Sequence, residues 1–212
     1  EKDLGVWIDP RLSFKSHISK IVNKANSLLG ILRRTFTFIN DQSFRQIFSS
    51  LIRTELEYAV PAWYPTTKED SMSIESVQRR ATKMVPSLKN LPYEERLRKL
   101  NLPTLAFRRL RGSMIQCYKF ASGKQACPFL HFGATSSVSR GHSCRLTKHR
   151  CQKRPYQLFF TNAAVDPWNS LPEHVVTAPS VITFEARLDK HWRNHPLRLN
   201  PEAPTSLLPP YL

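Results

Sequence analysis

Two His-x-Cys pairs, His142-x-Cys144 and His149-x-Cys151, carry residue types that bind zinc. Positions two apart on a strand share a face, so a hairpin around Cys144 to Cys151 would bring both pairs together. The spacing matches neither the usual cysteine pairs nor a zinc knuckle, so loop thiols and imidazoles are preferred and no metal site is assigned. Glu94-Glu95 has the form of an acid–base pair. Adjacent residues on a helix do not face each other, however, and Arg96 and Arg98 stand close by, so a solvated helix start fits better. Trp63, Tyr64, Trp168 and Trp192 offer rings for stacking on bases. Core filling is the commoner role of such rings and is favoured for Trp168 and Trp192. No Asp-Asp pair occurs anywhere.

The remaining chemistry is cationic. There are 32 Lys and Arg against 16 Asp and Glu, for a net charge of +16 and a pI near 10.1. From Arg96 to Val165, 70 residues pass without an acidic side chain while 14 Lys or Arg accumulate. A one-signed stretch repels itself unless a polyanion neutralises it, which points to nucleic acid. The alternative is a basic surface with no specific partner.

The elements that would position these groups read as follows. At 212 residues, 41% apolar, the chain has room for one or two domains with real cores. Sixteen prolines against six glycines suggest segmented helices. No apolar run reaches the ~18 residues of a membrane span. No signal peptide is visible, and four cysteines do not make a disulfide framework, so an intracellular location, nuclear or cytoplasmic, is expected. A start at Glu1 rather than Met reads as a fragment or a processed product.

Residues 3–9 read as a short strand ending at Pro10. Phe14, Ile18, Ile21, Ala25, Leu28 and Leu32 then make one helical stripe, with Ser13 as N-cap. A second helix starts at Asn40 or Asp41, turns Phe44, Ile47, Phe48, Leu51, Ile52 and Leu56 inward, and stops at Pro61. Thr67 and Asp70 open a third, with Ile74, Val77, Ala81 and Met84 on its apolar side and Pro86 at its close. Pro92 and Pro103 sit in the first turns of two more. The second of these aligns Ala106, Leu110, Met114, Cys117 and Ala121, with Arg108, Arg109 and Arg111 toward solvent. Residues 124–155 read as a loop with one hairpin, 156–168 as helical again, and Ser180 as the cap of a last helix carrying Phe184, Leu188 and Trp192. The expected fold is mainly α. A helical bundle over 10–123 is followed by a small basic α+β segment over 124–193 and a disordered Pro-rich tail over 194–212.

The order of short segments carries a resemblance. Asp3-Leu4-Gly5-Val6 with His17-Ile18, Leu56-Glu57-Tyr58-Ala59-Val60 with Trp63, and Gln78-Arg79-Arg80-Ala81 come first. Tyr93-Glu94-Glu95-Arg96-Leu97, Leu102-Pro103-Thr104-Leu105, Arg108-Arg109-Leu110-Arg111-Gly112, Arg140-Gly141-His142-Ser143 and Trp168-Asn169-Ser170-Leu171-Pro172 complete the series. Over residues 3–193 this resembles the region behind the palm in reverse transcriptases of non-LTR retrotransposons, closest to jockey and CR1-like LINE elements. The resemblance implies a thumb-like domain over 10–123, with residues 1–9 ending the palm and Leu4, Gly5 and Val6 as a primer-grip-like strand. It implies RNA, RNA–DNA hybrid or DNA as partner, together with an upstream palm domain. That palm would hold the catalytic aspartates and Mg²⁺ of the RNA-directed DNA polymerase. No cofactor is expected in this chain, and without those carboxylates no polymerase activity is expected of it alone.

A thumb needs an apolar stripe for packing and a basic face for phosphates. Lys20, Lys24, Arg33 and Arg34 are the first candidates, then Arg79, Arg80, Lys83, Arg108, Arg109 and Arg111. For each, a solvated basic face is the alternative. Pro167 departs from the family pattern, which has an apolar residue before the Trp, and implies either a helix that ends early or a decaying copy of the element. Two other functions stay open: a stand-alone nucleic-acid-binding module derived from such an element, and a zinc-dependent nuclease-like domain on the His/Cys set.

Overall fold

Leu4 and Gly5 both hold positive φ, 42° and 89°, as a two-residue type I′ hairpin turn requires. Lys2–Asp3 (β1) and Val6–Trp7 (β2) therefore pair antiparallel, with Lys2 opposite Trp7 and Asp3 opposite Val6. The strand expected over residues 3–9 is thus a tight hairpin. The computed structural model describes residues 1–126, 142–148 and 159–203. Over these the fold is mainly α, with the hairpin as its small sheet.

Asp9, not Ser13, prepares the first helix. Its carboxylate accepts from the backbone N–H groups of Arg11 (3.0 Å), Ser13 (3.1 Å) and Phe14 (2.7 Å). Helix α1 (Lys15–Thr35) begins behind Phe14, which is left-handed at φ 54°. Ile18, Ile21, Ala25 and Leu32 are buried as the stripe predicts, joined by His17, Val22 and Leu29.

Asn40 caps α2 (Asp41–Ile47), its Oδ1 accepting from the Ser43 N–H at 2.8 Å. A π-helical turn over Phe48–Ile52 precedes α3 (Arg53–Glu57). The wider turn rotates the buried face. Phe44, Phe48, Ile52 and Leu56 are buried, whereas Leu51, expected inward, is 49% exposed. Helix α3 ends before Pro61, which falls in the first turn of α4 (Val60–Trp63) and so begins a helix instead of stopping one. Thr67 caps α5 (Lys68–Ala81) as predicted, and Ile74, Val77 and Ala81 are fully buried. Helix α6 (Tyr93–Leu100) follows Pro92. Helix α7 (Leu105–Ala121) follows Thr104, whose Oγ1 accepts from the Phe107 N–H at 3.1 Å.

Glu75 of α5 is fully buried and accepts from Tyr93 Oη (2.5 Å) and the Leu105 N–H (2.9 Å), so it holds the start of α7 from inside the core. Burial raises its pKa, against the bond from Tyr93 and the charge of Arg109.

The chain divides into two units. One comprises Glu1–Arg109 with Pro196–Ala203; the other comprises the described part of Leu110–His195. The division falls within α7. In the second unit come α8 (Phe160–Ala163), α9 (Val165–Asn169), α10 (Glu173–Val176) and α11 (Val181–His191). Because a new helix starts at Val165, Pro167 lies in a first turn, where its missing N–H costs nothing. Ser180 caps α11 through the Thr183 N–H (3.1 Å), and Phe184 and Leu188 are fully buried, both as predicted.

Residues 196–203 are folded, against the expectation of a disordered tail from 194. Leu197 is fully buried in the first unit. Thr104 donates through its N–H to the Arg198 carbonyl (2.9 Å) and through Oγ1 to the Leu197 carbonyl (2.5 Å). Residues 204–212 lie outside the described residues, as do residues 149–151 of the expected hairpin.

Candidate nucleic-acid interface

The hairpin, α1 and α3 line an open pocket of about 420 Å³ in the first unit. The hairpin contributes Lys2, Gly5 and Trp7, and α1 contributes His17, Lys20, Ile21 and Lys24. Thr54, Glu55 and Tyr58 complete it. Two bonds fix the hairpin there. Tyr58 Oη donates to the Leu4 carbonyl at 2.9 Å, and the Trp7 N–H donates to His17 Nδ1 at 3.4 Å. The second bond requires a neutral imidazole with its proton on Nε2. Burial accordingly lowers the His17 pKa, although the Glu55 carboxylate opposes this.

Lys20 Nζ lies 3.0 Å from the Trp7 ring centroid and Lys2 Nζ 5.7 Å from it, both cation–π contacts. Lys24 pairs with Glu55 at 2.7 Å. Three ammonium groups thus meet one carboxylate, which is already engaged. Leu4 and Ala59, at φ 42° and 52°, add left-handed backbone at non-glycine residues beside the same site, a form of strain that clusters at ligand clamps.

The sequence-predicted cations separate into two groups. Lys20, Arg33 and Arg34 are exposed on α1, and no carboxylate among the described residues pairs with them. Arg80 and Lys83 are exposed as well. Arg79 is half-buried, stacked on Tyr93 (4.7 Å) and paired with Glu202 (3.3 Å). The expectation that Arg108, Arg109 and Arg111 face solvent is overturned. Arg108 makes a two-bond pair with Glu57 (2.5 and 2.8 Å), and Arg109, only 4% exposed, donates to Ser71 Oγ at 2.8 Å. Arg111 bonds Asp189 (2.6 and 2.9 Å) and Glu185 (3.0 Å). Carboxylates from outside the acid-free run therefore neutralise several of its described cations, Lys148 with Asp166 among them.

The segments that stand out in the sequence bond to one another. Leu4 meets Tyr58 and Glu57 meets Arg108, while Gln78 Nε2 donates to Tyr93 Oη and the Pro103 carbonyl, each at 3.0 Å. In the second unit, His142 Nε2 bonds the Trp168 carbonyl (3.0 Å) and Trp168 Nε1 donates to the Cys144 carbonyl (2.7 Å). Asn169 pairs with the Leu146 backbone through both its amide atoms, at 2.9 Å each. Trp63, Trp168 and Trp192 are all buried, so none presents a ring to a base. Trp7 and Tyr58 were not singled out in the sequence as stacking rings, yet they are the ones at the pocket. The signal was Tyr58's place inside a quoted segment and Trp7's directly after one.

His149 and Cys151 of the possible zinc set lie outside the described residues. Among the described residues no group of three His, Cys, Asp or Glu is placed to hold an ion. No helix among them is long and apolar enough to cross a membrane.

No family model matches the chain, and no solved structure matches it. It is 23% identical over 130 residues to an uncharacterized protein of Caenorhabditis elegans, a match that takes in 59% of this chain and 65% of that protein. The match thus spans slightly under two thirds of that relative's length.

Proposed function

We propose that this chain is a non-catalytic nucleic-acid grip, the thumb-like and carboxy-terminal part of a LINE-type reverse transcriptase, which holds RNA and RNA–DNA hybrid for an upstream palm. The observation that carries it is the set of exposed cations along α1, with Lys20 and Arg34 on one side and Arg33 on a flank. Lys20 stands beside the hairpin, and Arg33 and Arg34 stand at the far end of the helix, all without carboxylate partners among the described residues. At ~1.5 Å per residue the two ends are roughly 20 Å apart, a span of several phosphates along a strand. Phosphate contacts hold a duplex whatever its sequence, as copying any template requires. The ordered segments resembling that family support the parentage, and their mutual bonds give each a structural reason to occur together. A stand-alone module would use the same surface; the sequence preceding Glu1 in the same reading frame separates the two.

The test is fluorescence anisotropy with a labelled RNA–DNA hybrid across a salt series. Reversing charge in Arg33→Glu/Arg34→Glu is expected to weaken binding about tenfold or more and to flatten the salt slope, with the circular dichroism unchanged. Unaltered binding in that variant would remove α1 from the interface.

A further inference from the structure

We infer that the pocket under the hairpin takes one unpaired nucleotide, as a strand end or an extruded base, of the nucleic acid held along α1; this rests on the grip proposed above. At about 420 Å³ the pocket has the size of a site for one small ligand. A base-paired duplex does not enter a space of that size.

Its lining matches the two halves of a nucleoside monophosphate. Tyr58 is 57% exposed, and its ring is held in advance by the bond from its hydroxyl to the Leu4 carbonyl. A ring already fixed loses little freedom when a base stacks on it. Gly5 lets the hairpin approach the Tyr58 ring closely, because a Cβ there would stand 3.3 Å from that ring. Lys2, Lys20 and Lys24 supply the charge for a phosphate. Lys20 rests on the Trp7 ring and not on a carboxylate, so an incoming anion meets no ion pair to break at that position. Glu55 is bound to Lys24, which limits its repulsion of an anion. His17 closes the inner side as a neutral ring, its Nδ1 occupied by Trp7.

Trp7 reports on the site, since it is half-buried while Trp63, Trp168 and Trp192 are buried. The full chain is titrated with adenosine monophosphate, uridine monophosphate, inorganic phosphate and adenosine, following tryptophan fluorescence; hybrid binding is followed by anisotropy on the same sample. Both monophosphates are expected to quench saturably, with phosphate and adenosine each at least about tenfold weaker. Tyr58→Ala and Lys20→Ala are each expected to weaken the monophosphates about tenfold. Tyr58→Phe, which keeps the ring but loses the bond to Leu4, is expected to weaken them less than Tyr58→Ala does, and Arg33→Glu/Arg34→Glu to leave them unchanged. An equal response to inorganic phosphate would make this a plain anion site and overturn the inference, as would the absence of saturable quenching. Hybrid binding with a silent pocket overturns the nucleotide site alone; loss of both responses overturns the grip as well.

Discussion

Protonating His17 sets a donor against a donor. Its Nδ1 accepts from the Trp7 N–H, so a proton there opposes the bond that ties the hairpin to α1. Burial holds the folded-state pKa below the ordinary 6.5, with Glu55 acting the other way. Folding therefore favours the neutral ring. The stabilisation is complete above the unfolded value and is lost as pH falls through it. The thermal midpoint should drop between about pH 7.5 and about pH 5.5, and the drop should shrink in His17→Gln. His191 and His195 are also lowered by burial, so the difference between wild type and variant isolates His17. An identical drop in both proteins would show that His17 does not titrate with folding. Nothing local in the sequence distinguishes Glu75 from Glu69 two turns earlier, yet one is the buried anchor of α7 and the other is exposed. That assignment depends on Tyr93 and Leu105 arriving from other elements.

Among elements, the first two strands depend on one turn. Gly5 combines a φ of 89° with the nearby Tyr58 ring. Gly5→Ala should therefore cost about 1–2 kcal/mol, read as a lower urea midpoint. An unchanged midpoint would mean that the hairpin is not coupled to the folding of the first unit. Helix starts were legible where the cap lies within three residues of the group it satisfies, as at Asn40, Thr67 and Ser180. Asp9 was not, because it caps from five residues before Phe14. Leu51 was misread because an apolar stripe assumes one constant pitch, and the π-turn at Phe48–Ile52 breaks that pitch.

For the whole molecule, the tail is the clearest test. Leu197 is fully buried, and its carbonyl and that of Arg198 hold Thr104. Leu197→Ala should cost about 2–4 kcal/mol in chemical denaturation; a change within error would show that the segment contributes nothing to the first unit. By itself the sequence determined the helical class, the capped helices and the apolar side of α5, because spacing and caps act over one or two turns. It also carried the excess of cations. Only the tertiary structure decided which cations remain outside. Arg108 and Arg111 meet Glu57, Glu185 and Asp189 across 51 to 78 residues, while Lys20, Arg33 and Arg34 meet no carboxylate among the described residues. Charge is neutralised by neighbours in space, and no local pattern records which neighbours folding will supply.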